Sequence, residues 1–112
     1  MIRLSRFTIA CAAALMLSTA VPGVALAQDD AAKQQALSLF EEATKRYNVG
    51  EWDEAVRLYK EAYGAYPAPE FLFNIAQSYR QKNDCKNGLF FYKRYLANVP
   101  DAPNREHVEG FI

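Results

Sequence analysis

One spacing dominates this sequence. Pro67 and Pro100, Tyr59 and Tyr92, Ala55 and Gly88, and Gly50 and Asn83 all stand at one and the same separation. Each pair joins like with like: a breaker, an aromatic, a small residue, a turn former. Such self-similarity means that one supersecondary unit occurs twice and that the two copies must stack to bury a common face. The stripes within each copy have helical period. Leu72, Ile75, Ala76 and Tyr79 fall at i, i+3, i+4 and i+7. Ala55, Val56, Tyr59, Ala62 and Tyr63 form a second stripe, and Gly88, Leu89, Tyr92, Tyr95 and Leu96 a third. Gly50, Asn83-Asp84, Pro67 and Pro100 punctuate them. This places helices near 30–48, 52–66, 70–82 and 85–98. A last short helix over about 102–112 carries Val108, Phe111 and Ile112, with Asp101 as its cap and Pro103 in its first turn. The expected fold is all-α, built from antiparallel helix-turn-helix units.

The pattern Ala55, Tyr59, Pro67, repeated as Gly88, Tyr92, Pro100, together with Ile75-Ala76-x-x-Tyr79, resembles the tetratricopeptide repeat. The resemblance places repeat 1 at about 36–67 and repeat 2 at about 69–100, followed by the terminal helix. In the first unit Phe40, Ala43 and Tyr47 keep the expected spacing, but Tyr47 reaches Gly50 one residue early, which reads as a shortened turn. Cys85 stands where the first unit has Trp52.

Tetratricopeptide proteins bind peptides or partner helices along a concave face lined by the first helix of each pair. Carried over by position, that resemblance assigns Glu70, Phe73, Asn74, Gln77, Arg80 and Gln81 to the face. Read from Tyr47, the first unit adds Glu41 and Lys45. The acid at Glu41 speaks against clamping a C-terminal carboxylate, which needs a lysine there. Phe90, aligned with Arg57 and sharing a face with Lys86 and Arg94, forms a second candidate interface with Phe111 and Ile112. Seven tyrosines and seven phenylalanines suit a protein that makes interfaces.

The start of the chain has a different character. Arg3 and Arg6 precede an uncharged apolar run, Phe7 to Val21, and Ala25-Leu26-Ala27 offers a small-x-small cleavage site. Residues 1–27 therefore read as a secretory signal peptide, and 28–112 as the exported domain. The expected location is the cell envelope, periplasmic in a Gram-negative cell. The alternative is an uncleaved segment anchoring the chain, although the run is short against the roughly 20 residues that span a bilayer. Cleavage removes Cys11 and leaves Cys85 alone, so the domain is not a disulfide-stapled scaffold. Cys85 itself reads as a small, partly buried turn residue, the alternative being a disulfide to a second copy or to another envelope protein.

Thirteen basic and thirteen acidic side chains balance over the 112 residues, which argues against nucleic-acid binding. No catalytic, cofactor or metal set is apparent. His107 stands alone beside Glu106 and Glu109, and Ser38 and Ser78 have no histidine partner. The expected function is a protein–protein interaction module, not an enzyme, without cofactor. The partner is a protein or peptide, and the alternative is a scaffold segment that assembles with other copies through its apolar C-terminus. Two units are fewer than the three that stacked repeats usually need. Either the array continues or the apolar end is buried against something else. The isolated domain is therefore expected to self-associate or to be only marginally folded.

Overall fold

A computed structural model describes residues 22–112, and within them the chain is all-helical. The expected signal segment lies outside the described residues, apart from its last positions, 22–27. Five helices follow in order: α1 Pro22–Asn48, α2 Trp52–Ala65, α3 Pro69–Gln81, α4 Cys85–Asn98 and α5 Arg105–Glu109. Each of α1–α3 packs along its successor. Three-residue links join these neighbours, so the chain reverses direction at each one.

The links show why the sequence breaks where it does. Gly50 and Asn83 both adopt left-handed backbone, with φ of 80° and 63°. The amide of Gly50 donates to Tyr47 O (3.1 Å), and that of Glu51 to Arg46 O (3.0 Å). At the second link Asn83 donates to Arg80 O (3.0 Å) and Asp84 to Tyr79 O (2.9 Å). Both are Schellman closures, which satisfy the last carbonyls of a helix and favour glycine or asparagine at the left-handed position. The bonds match atom for atom at the interval that separates Gly50 from Asn83. There is accordingly no shortened first turn. Arg46, not Tyr47, is the counterpart of Tyr79, and Ala43 the counterpart of Ala76. Both alanines are fully buried. An arginine fits an aromatic's place here because Glu42 (3.1 Å) and Glu51 (2.9 Å) hold its guanidinium.

The core follows the same spacing. Ala55 and Gly88 are buried at close helix approaches, and Tyr59 and Tyr92 are buried beside them. Leu58, Ile75, Tyr59, Ala43 and Ala55 form one cluster. Leu72, Ala76, Tyr92, Tyr95, Leu96, Ala102 and Val108 form another, which seats α5. Phe71, absent from the expected stripe, joins Ala36 and Ala62 in a third. Its ring stacks on Phe40 of α1 at 5.3 Å.

Three expectations need correction. Among the described residues the first helix already runs from Pro22, not from near 30, and continues through Ala25-Leu26-Ala27. Residues 22–31 are exposed throughout, so this overhang has no packing to hold it. The terminal helix is only Arg105–Glu109, and Asp101 does not cap it. Pro103 lies in the link before it. Asn104 stands at the N-cap, but its side chain is taken by the Tyr95 hydroxyl (2.8 Å), which draws the link onto α4. Finally, Cys85 is exposed at the first turn of α4, where Asp84 caps the helix by accepting from the Asn87 amide (3.2 Å).

Candidate functional site

The face expected on α3 exists as a continuous stripe, because Glu70, Phe73, Asn74, Gln77, Arg80 and Gln81 recur at helical spacing opposite the buried Leu72, Ile75 and Ala76. Its two edges differ. Along the edge that meets α4 and Phe111, the side chains of Phe73, Gln77 and Arg80 are already engaged. The Phe73 ring packs on Tyr95 (5.4 Å) and Tyr92 (6.1 Å). The Tyr92 hydroxyl donates to Gln77 Oε1. Arg80 Nε donates to both Gln77 Oε1 (3.2 Å) and the Tyr92 hydroxyl (3.1 Å).

Phe111 completes that cluster. Its ring stacks on Tyr92 at 5.3 Å, with the Arg80 guanidinium 4.3 Å above its centroid. His107 meets its edge at 4.7 Å. The expectation of an exposed Phe111 is thus corrected: it is half-buried and belongs to the core around Tyr92. Ile112 faces elsewhere and stays 49% exposed. The terminal helix leaves Phe90 uncovered, at 53% exposure, so of the expected second interface Phe90 and Ile112 are exposed and Phe111 is not.

The remainder of the stripe is open. Glu70 and Gln81 are exposed, and Asn74 is half-buried, its side-chain amide donating to Glu70 O (3.0 Å). Glu70 also borders a cleft of about 550 Å³ lined by Asp29, Ala32 and the Tyr66–Pro69 link. Asn74 keeps one acceptor free for an incoming backbone, which suits an amide that both donates and accepts.

On α1 the corrected register changes the assignment. Glu41 is the counterpart of Asn74 and is exposed. Lys45 is the counterpart of Ser78, which is buried and donates to Asn74 O (2.8 Å). Lys45 therefore lies off the face and pairs with Glu42 (3.8 Å). The residues that take its place are Leu37, Phe40, Thr44, Tyr47 and Asn48. Carrying the spacing of Gly50 and Asn83 back through the first helix is the signal that finds them.

Thr44 carries the least obvious correspondence. Its hydroxyl donates to Phe40 O (2.9 Å), so the Tyr59 hydroxyl, 2.9 Å away, donates to it. Tyr59 and Thr44 repeat the bond between Tyr92 and Gln77 one unit later. In both units a buried tyrosine of the second helix is tied to the first helix by its hydroxyl. Burial pushes both phenols above the ordinary tyrosine value, so both remain protonated donors.

Among the described residues no group of three or more His, Cys, Asp or Glu side chains is arranged to hold a metal ion, and no helix is long and apolar enough to cross a membrane. Comparison of the chain with family models, with curated proteins and with solved structures yields no match.

Proposed function

We propose that the chain is an exported tetratricopeptide-type interaction module that binds a protein or peptide segment along the face formed by α1 and α3. The observation that carries this reading is the coincidence of four contacts at one spacing. The left-handed turn residues, the paired turn hydrogen bonds, the small residues between helices and the tyrosine ties all recur after the same interval. A hairpin repeated in this way lines up the outward positions of its first helices. Leu37, Glu41 and Asn48 on α1 then continue Glu70, Asn74 and Gln81 on α3. These positions mix polar hydrogen-bonding groups with one 40% exposed leucine, which suits an extended or helical segment more than a small molecule.

Export follows from the charged start, apolar run and small-x-small site. Cleavage before Gln28 costs the domain little, because every buried residue of α1 lies beyond it. Mass spectrometry of envelope protein should find an N-terminus at Gln28, whereas intact Met1 in the membrane fraction means an anchor. For binding, the chain from Gln28 onward serves as bait in envelope extract beside an Asn74→Ala, Gln81→Ala variant. Arg80 is left intact because it holds Phe111. A partner retained by the unmodified bait and lost by the variant supports the reading, and identical captures refute it. A self-assembling scaffold is the second reading, favoured by the exposure of Phe90 and Ile112.

A further inference from the structure

The spacing that preserves packing between α2 and α4 reverses the charge on their outer faces. Asp53, Glu54, Arg57 and Glu61 of α2 become Lys86, Asn87, Phe90 and Arg94 of α4, while Lys60 becomes Lys93. On α2 the charges neutralise one another. Arg57 bonds Glu54 and Glu61 (3.0 Å), and Asp53 pairs with Lys82. α4 contains no acid at all. Lys86, Lys93 and Arg94 are exposed, and among the described residues no ion pair engages them. In their midst Phe90 stands half out of the surface, with Arg94 5.7 Å over its ring and Phe91 at its edge.

The same face continues past Lys93 and Ala97 into a cleft of about 440 Å³, bounded by Leu96, Ala97 and Ile112. Arg105 at its rim is already paired with Glu109 (2.8 Å). Two apolar positions therefore lie along α4, Phe90 and the cleft beside Ala97. Two helical turns separate them, or about 10 Å along the axis.

We propose that this outer face of α4 docks an acidic amphipathic helix of a partner protein, with apolar side chains two turns apart meeting Phe90 and the cleft. Acids flanking them face Lys86, Lys93 and Arg94. Charge complementarity selects this occupant. The α2 acids of a second copy are already held by their own cations, and a single protruding aromatic gives a lipid surface little to anchor. The face lies apart from the α1–α3 stripe, so it stands or falls independently of the function proposed above.

The test is titration of the chain into a labelled synthetic helix of about 20 residues, leucines at alternating three- and four-residue spacing and glutamates elsewhere. A glutamine counterpart and phosphatidylglycerol vesicles run in parallel. Binding of the glutamate helix should weaken at least tenfold in a Lys93→Glu, Arg94→Glu variant and in Phe90→Ser, and should fall with added salt. It should be unchanged in Asn74→Ala, Gln81→Ala. Melting curves of the variants, altered only at exposed positions, should stay close to that of the parent chain. Equal binding of the glutamine helix, or indifference to the charge reversal, overturns the proposal. So does binding to vesicles alone, or a dimer in sedimentation that the charge reversal abolishes.

Discussion

Replacing Gly88 by alanine should stabilise this protein, although Gly88 is buried between two helices. A methyl group built there meets Ala76 O and Arg80 N at 3.6 Å and Tyr79 Cβ at 3.8 Å. These are ordinary contact distances, so the helices need not separate. Against that absence of strain stands a gain in α4 itself, since alanine is favoured over glycine in a helix interior by about 0.8–1.0 kcal/mol. The first unit already carries alanine at the matching position, Ala55, fully buried. A gain near 1 kcal/mol in a domain of this size raises the melting temperature by roughly 4–8 °C. The same chemical change at Gly50 should act in the opposite direction. Space is open there, with only the Trp52 ring at 3.8 Å, but φ is +80°. A side chain in left-handed backbone costs about 1–2 kcal/mol, so Gly50→Ala should lower the melting temperature by a comparable interval. Far-ultraviolet circular dichroism melts of the two variants measure both. A drop for Gly88→Ala would mean that α3 and α4 approach more closely than described here. No drop for Gly50→Ala would mean that the first turn is not a left-handed closure.

Three further outcomes follow from the contacts. Tyr59→Phe and Tyr92→Phe should each cost about 1 kcal/mol in urea unfolding, because each removes the tie between the helices of one unit. Phe111→Ala should cost about 1–3 kcal/mol, less than a fully buried phenylalanine, while Ile112→Ala should change stability by less than about 0.5 kcal/mol. Acid should destabilise the fold through Glu54 and Asp84. Arg57 holds the first, and the side chain and backbone amide of Asn87 hold the second, below their ordinary carboxyl values. A carboxylate lowered in the folded state contributes stability above its unfolded value and loses it as pH falls through the folded one. Melting temperature should therefore decline from about pH 4 downward, and less steeply in Glu54→Gln, Asp84→Asn.

The helices α2, α3 and α4 were legible to within a residue or so, because Gly50, Pro67, Asn83-Asp84 and Pro100 stop them sharply. The first helix ends where expected, at Asn48, but its start and its repeat register were less legible. Its start reads as part of a cleavage site, a feature of composition that does not prevent helix. Its register was misassigned because Tyr47 imitates Tyr79, whereas the true counterpart, Arg46, fills the place by ion pairs that aromatic matching overlooks. That single step put Lys45 on the expected face and concealed Thr44. The tyrosine ties were invisible for a related reason: Thr44 and Gln77 share a hydrogen-bonding role but no similarity of type. Phe111 was misplaced because the short α5 sits where Tyr95 draws Asn104, a contact that no local pattern announces.

The central claim is that one hairpin occurs twice, in a single register that runs unbroken through both left-handed turns. Nuclear Overhauser contacts test it directly. The account predicts proximity between Ala43 and Ala55 and, equivalently, between Ala76 and Gly88, with the Tyr59 ring near Thr44 and the Tyr92 ring near Gln77. Contacts from Ala55 and Tyr59 to residues one position away on α1, with the second unit as described, would contradict it.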